Sequence, residues 1–244
     1  MKVNVRYGED EVVCPVLVNS AISSRVRIHV YPNGDVRIEA PEGKSEAEIQ
    51  KAAQKRARWI FDNRRIAFAA RAQSLPREYV SGETHFYLGR RHQLVVRTEQ
   101  VPKSTVRLTR GRLEIRVGEA DRKAVKRHLD QWYKLKAREY FVRKLSELSG
   151  SLPWIKVPPP LRLISMKTQW GSCSPSGTIN LNPALIKAPR HCIEYVMIHE
   201  LCHLAEHNHS KKFYALLSRC IPNWQPVKAE LDALAELLLN GQLE

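Results

Sequence analysis

Tyr195-Val196-Met197-Ile198-His199-Glu200-Leu201-Cys202-His203, continuing through Asn208-His209-Ser210, decides how this chain is read. His199 and His203 are four residues apart, so on an α-helix both imidazoles lie on one face and reach one ion. Glu200 follows the first histidine and can reach a water held in an open coordination position. Zinc brings the pKa of such a water down to about 7, and a neighbouring carboxylate takes the proton as the nucleophile forms. The apolar run Tyr195–Ile198 buries the helix, where two bare imidazoles and a carboxylate are hard to explain as packing. The stretch therefore implies a zinc hydrolase site.

Zinc needs a third protein ligand. His209 follows His203 by six residues. Asn208 before it can end the helix in a left-handed conformation, and Ser210 can cap the next helix, bringing His209 back to the ion. His207, at i+4 from His203, and Glu230, on the last expected helix, are the rivals. Metzincins use the same six-residue step, but they have Gly where this chain has Glu206 and a Met-turn afterwards. No Met follows Met197, so that class is excluded.

Before the motif, Leu161–Ser165 and Thr178–Leu181 read as strands around a turn-rich loop, Trp170-Gly171-Ser172-Cys173-Ser174-Pro175-Ser176-Gly177. By analogy with zincins, Thr178–Asn182 is expected to line the cleft and pair with an extended substrate. Trp170 and Cys173 read as core packing, and Cys202 as packing that faces away from the metal. Helices are expected at about 190–207, 210–220 and 223–239.

Further back, Val26, Ile28 and Val30 alternate with Arg25, Arg27 and His29, and Val36 and Ile38 with Arg37 and Glu39. The Asn33-Gly34 step between them predicts a tight hairpin. Ser45-Glu46-Ala47-Glu48 opens a long helix to about Ser74 with a capping box. Strands follow near 84–88, 92–98, 104–109 and 112–117, then a second long helix from about 120 to 149. Val125, Leu129, Trp132, Tyr133, Leu135, Tyr140 and Phe141 are its core candidates. Pro158-Pro159-Pro160 makes a stiff connector. No internal repeat is apparent. These elements imply an α+β protein: a basic, β-rich region over 1–118 with long helices, then a small zincin-like catalytic domain over 119–244.

The 244 residues carry a net charge of +15, distributed unevenly. Residues 1–150 hold 31 Lys/Arg against 18 Asp/Glu, hence +13, and residues 151–244 hold 9 against 7. Such asymmetry suggests nucleic acid or a nucleotide as partner for the basic region, although solubility alone also accounts for it. No apolar run is long enough to span a membrane, and the N-terminal residues have no signal-type core. Five cysteines without a C-x-x-C pair argue against a disulfide framework and for a reducing, cytoplasmic setting.

Trp170-Gly171-Ser172-Cys173, Ile179-Asn180-Leu181-Asn182, Ala188-Pro189, the His199–His203 motif and Asn208-His209-Ser210-x-x-Phe213 together resemble the YgjP-like metallopeptidases. These are zincins often grouped with M48-type peptidases and similar to SprT-type proteases. Ala40-Pro41, Trp59-Ile60 and Tyr87-Leu88-Gly89 extend the resemblance over nearly the whole chain. It implies one zinc ion held by His199, His203 and His209, with Glu200 as general base, acting on peptide bonds. One departure is Gln169, where members usually have Arg; Lys167 and Arg162 are the nearby cations. The proteins cut would include nucleic-acid-associated ones, given the basic region. The alternative chemistry for the same site is hydrolysis of a nucleoside triphosphate such as UTP to release pyrophosphate. Against it stand the missing Gly-rich phosphate loop and a donor set better suited to zinc than to magnesium.

Overall fold

The computed structural model describes the chain except residues 20–24, 32–33, 74–76, 100–103, 120, 167–168 and 240–244, and the side chains of 69–73 and 236. It divides into two compact units, Met1–Leu75 and Pro76–Glu244.

In the first unit, strands β1 (Lys2–Tyr7), β2 (Asp10–Val18), β3 (Arg27–Val30) and β4 (Val36–Ala40) form one sheet in the order β1-β2-β4-β3. The outer pairs are antiparallel and the central pair, β2 with β4, is parallel. Alternation sends Val3, Val5, Val12, Cys14, Val16, Val36 and Ile38 into a core closed by Ile49, Ala53, Ile60 and Phe61 of two helices, α1 (Glu46–Gln54) and α2 (Ala57–Gln73). The 26–38 hairpin forms, with Gly34 at φ 82°; Pro32 and Asn33 lie outside the described residues. The capping box at Ser45 and Glu48 is present. The single long helix is instead two: Arg56 N–H donates to Ala53 C=O, a tighter i→i−3 bond that breaks the run.

The second unit opens with β5 (Thr84–Tyr87), β6 (Arg90–Thr98), β7 (Thr105–Thr109) and β8 (Arg112–Val117), in the order β5-β6-β8-β7 with β6 and β8 parallel. Strand order and directions repeat those of the first sheet, so a structural repeat exists where none is apparent in the sequence. Leu94, Leu113, Ile115 and Val117 share one core with Val125, Leu129, Tyr133 and Phe141 of α3 (Arg122–Gly150). That shared core is why the units part near 75 and not at 118/119. Leu135 turns outward, 54% exposed, contrary to expectation.

A three-stranded sheet follows: β9 (Leu161–Leu163), β10 (Gly171–Cys173) and β11 (Ile179–Leu181), with β11 in the centre. A 3₁₀ helix (Pro183–Lys187) leads into α4 (Arg190–Cys202), then α5 (Lys211–Cys220) and α6 (Trp224–Leu239). The protein is α+β, as expected, and among the described residues no helix is long and apolar enough to cross a membrane.

Candidate metal centre

Helix α4 stops at Cys202, five residues sooner than its periodicity predicts. His203, Leu204 and Ala205 each donate to the carbonyl three residues back, which tightens the last turn into 3₁₀ form. The Trp154 indole N–H satisfies the Leu201 carbonyl there, at 3.1 Å. The reversal needs no left-handed residue at Asn208, since the described non-glycines with positive φ are Tyr79, Leu88 and Arg110. Ser210 N–H donates to Asn208 C=O at 2.7 Å, and Ser210 Oγ accepts from Phe213 N–H, capping α5 as expected.

The turn returns His209 to α4. One ring nitrogen from each of His199, His203 and His209 lies within 4.8 Å of the other two. Nε2 of His199 faces Nε2 of His209 at 2.9 Å, and His203 Nδ1 lies 3.2 Å from Glu206 C=O. With Nδ1 donating there, the lone pair of His203 is on Nε2, the tautomer a metal ligand needs. Burial and the neighbouring imidazoles push His199 down to about 3, and burial lowers His203 as well. Both are thus neutral at ordinary pH, and His199 Nδ1 is buried with no hydrogen-bond partner among the described residues. Three converging imidazoles, two of them held neutral by burial, fit a zinc-type ion.

Glu200 is buried at 6% exposure, and burial pushes its carboxyl up to about 8 against a hydrogen bond from Cys173 N–H. It lies against Gly171 so closely that a Cβ there would sit 2.9 Å from both its Cγ and Oε1. The Trp-Gly-Ser-Cys motif thus has a local reason: glycine makes room for the carboxylate and the next strand residue but one donates to it. Trp170 and Cys173 are half-buried against the core. The neighbour of α4 is therefore β10, an edge strand. Thr178–Asn182 contains β11, whose two sides are taken by β9 and β10, so it has no free ladder for a substrate. Asn182 N–H to Trp170 C=O and Ser174 N–H to Thr178 C=O turn Trp170 and Ser174 inward, leaving Gly171 and Cys173 facing outward.

Sequence reasoning missed the role of Phe213. Its fully buried ring lies 4.6–4.9 Å from all three imidazoles, a common floor beneath them. The signal available was its i+4 spacing from His209 on a capped helix. Gly89 reads as a turn residue in the sequence, without its packing: at φ 77°, a Cβ there would meet Pro189 Cα at 2.8 Å. Leu88 and Gly89 donate to the carbonyls of Ile186 and Lys187, docking the β5–β6 turn just before α4.

Other expectations fall elsewhere. Glu230 pairs with His191 at 2.7 Å, near Cys192, in a cluster separate from the three histidines. His207 does not belong to the histidine group. Cys202 is fully buried beside Cys220. Arg162 is exposed on β9, across β11 from β10, and Lys167 lies outside the described residues.

The model of the YgjP-like metallopeptidase domain matches residues 24–234 of this chain. Among solved structures, the metallopeptidase zymogen abylysin of Pyrococcus abyssi is similar at 25% identity, over 39% of this chain and 94% of that one, with a TM-score of 0.35. No curated protein matches the chain.

Proposed function

The chain belongs to the YgjP-like metallopeptidase family, a family of metal-dependent hydrolases, and from that premise we propose a zinc peptidase with His199, His203 and His209 as ligands and Glu200 as general base. The observation that carries this reading is the convergence of the three ring nitrogens within 4.8 Å. Zinc bound there supplies Lewis acidity that activates a water and polarises the scissile carbonyl.

The remaining work falls to side chains and backbone. Glu200, held by Cys173 N–H and seated against Gly171, would be kept ionised by the charge of the bound cation, and so accepts the water's proton and returns it to the departing amide nitrogen. Phe213 keeps the imidazoles in place from below. An extended peptide pairs with the outward edge of β10, where Gly171 offers backbone groups with no side chain in the way.

The wider assignment concerns substrates. On the outer face of the β5–β8 sheet, Arg91, Arg97, Arg107, Arg112 and Arg116 are exposed, with Glu114 among them. That face suits a phosphodiester backbone, so the proteins cut include nucleic-acid-associated ones. Five free thiols fit a reducing, cytoplasmic setting.

The test is a substrate panel of denatured casein, protein–DNA mixtures and nucleoside triphosphates, with Glu200→Gln as control. Peptide cleavage should appear and fall by about 10²–10⁴ in the variant. Glu200-dependent pyrophosphate release without any proteolysis would instead assign the site to the phosphoanhydride reaction.

A further inference from the structure

A cavity of about 630 Å³ opens among α3, Ser165–Met166, the 3₁₀ helix and the end of α6, within residues 76–244. Its volume lies in the range of small-molecule sites. Helix α3 lines it with Lys123, Lys126, Arg127 and Lys134, whose spacings of three, four and seven place them on one stripe. Lys187 adds a fifth cation from the 3₁₀ helix.

Asp130 is the one carboxylate among the described lining residues, and it is engaged by Lys126 at 3.3 Å. Lys123, Arg127 and Lys134 have no carboxylate at ion-pair distance among the described residues. Lys187 is the telling member. Its Nζ donates to Leu238 C=O at 3.2 Å and sits 4.9 Å over the Tyr133 ring. Burial pushes its ammonium down to about 8, the Arg77 and Lys126 charges push the same way, and Asp130 alone opposes them. The concavity thus holds more positive charge than its own acids neutralise. A single carboxylate would meet only part of that excess, whereas linked phosphates bring several charges and many acceptor oxygens to a cluster of this kind.

We propose that this cavity binds a small oligophosphate anion, at a site separate from the three histidines and independent of the bond the enzyme cuts. The ligand would bear on both segments that lead to the catalytic residues. Lys187 is followed by Ala188-Pro189 and then α4. Asn182, beside the lining residue Pro183, holds the Met166 and Gln169 carbonyls just ahead of Trp170.

Calorimetric titration of the metal-loaded full chain with inorganic tripolyphosphate tests this. One molecule should bind per chain, more weakly as salt rises. The double variant Arg127→Gln/Lys134→Gln should bind at least about tenfold more weakly. Both residues are exposed, so folding is not at stake. Because oligophosphates also chelate metals, His199→Ala/His203→Ala is titrated in parallel and should bind as the wild type does. Undiminished binding by the Arg127/Lys134 variant, or its loss in the histidine variant, overturns the proposal.

Discussion

In residues 1–75 the sheet β1-β2-β4-β3 buries its inner face under its own two helices, and its outer face sets Lys2, Arg6, Arg27 and Arg37 against Glu11 and Glu39, with Arg6 paired to Glu11 and His29 near Glu39. In residues 76–118 the sheet β5-β6-β8-β7 has the same order and directions, yet its inner face merges with α3 and the core around α4, and its outer face is rich in arginine. The first turns differ as well. Gly8 stands in open space at φ 64°, while Gly89 is pressed on Pro189. One scaffold therefore serves as a self-contained module and, in its second use, as the foundation of a reactive centre. What separates the two is the side chains that dock on the inner face and at the turn, not the strand topology.

The largest expected effects come from aromatic truncation on each side of the comparison. Phe213→Ala and Phe61→Ala should each lose about 3–5 kcal/mol in urea unfolding. Only Phe213→Ala should also lose bound metal, since its ring underlies the imidazoles; equal metal content in both would remove that distinction. The paired glycines come next. Gly8→Ala should cost about 1–2 kcal/mol for the left-handed conformation alone. Gly89→Ala should cost about 2–4 kcal/mol, because its Cβ also meets backbone at Pro189. Equal losses would show that the second turn is no more constrained than the first.

Smaller again is the contrast between outer faces. Replacing Arg97, Arg107 and Arg112 by Gln should flatten the salt dependence of single-stranded nucleic-acid binding by about 0.7 per arginine. The same change at Arg6 and Arg37 should leave the slope alone. A last contrast is a pH slope tied to Lys187, which faces Arg77, Lys126 and Asp130. Its folded pKa, about 8, lies below its ordinary 10.5, so between those values the unfolded chain binds more protons. Stability should rise with pH through that window, and Lys187→Met should abolish the rise in unfolding midpoints taken at pH 8 and pH 10.

Local signals were legible in the amino-acid sequence. Ser45 and Glu48 specify a capping box, and the strands expected near 92–98 and 112–117 form with Leu94, Leu113, Ile115 and Val117 buried on one face. His199, His203 and His209 could be placed together because helix spacing and one capped turn fix them. The early end of α4 was not legible, since residues 203–207 suit a helix as well as a 3₁₀ turn. The seat of Glu200 was hidden for another reason: Gly171 reads as loop, and only the β10–β11 pairing brings it to the carboxylate. The repeat escaped because strand order is a tertiary property, carried by parallel pairs between segments about 20 residues apart.

In the proposed centre, three imidazoles from α4 and the turn after it hold one ion. Metal analysis of the purified full chain and of His209→Ala measures this most directly. About one zinc per wild-type chain is expected, with its loss in the variant while the fold persists. Undiminished zinc in His209→Ala would contradict it, because the ion would then depend on ligands other than this triad.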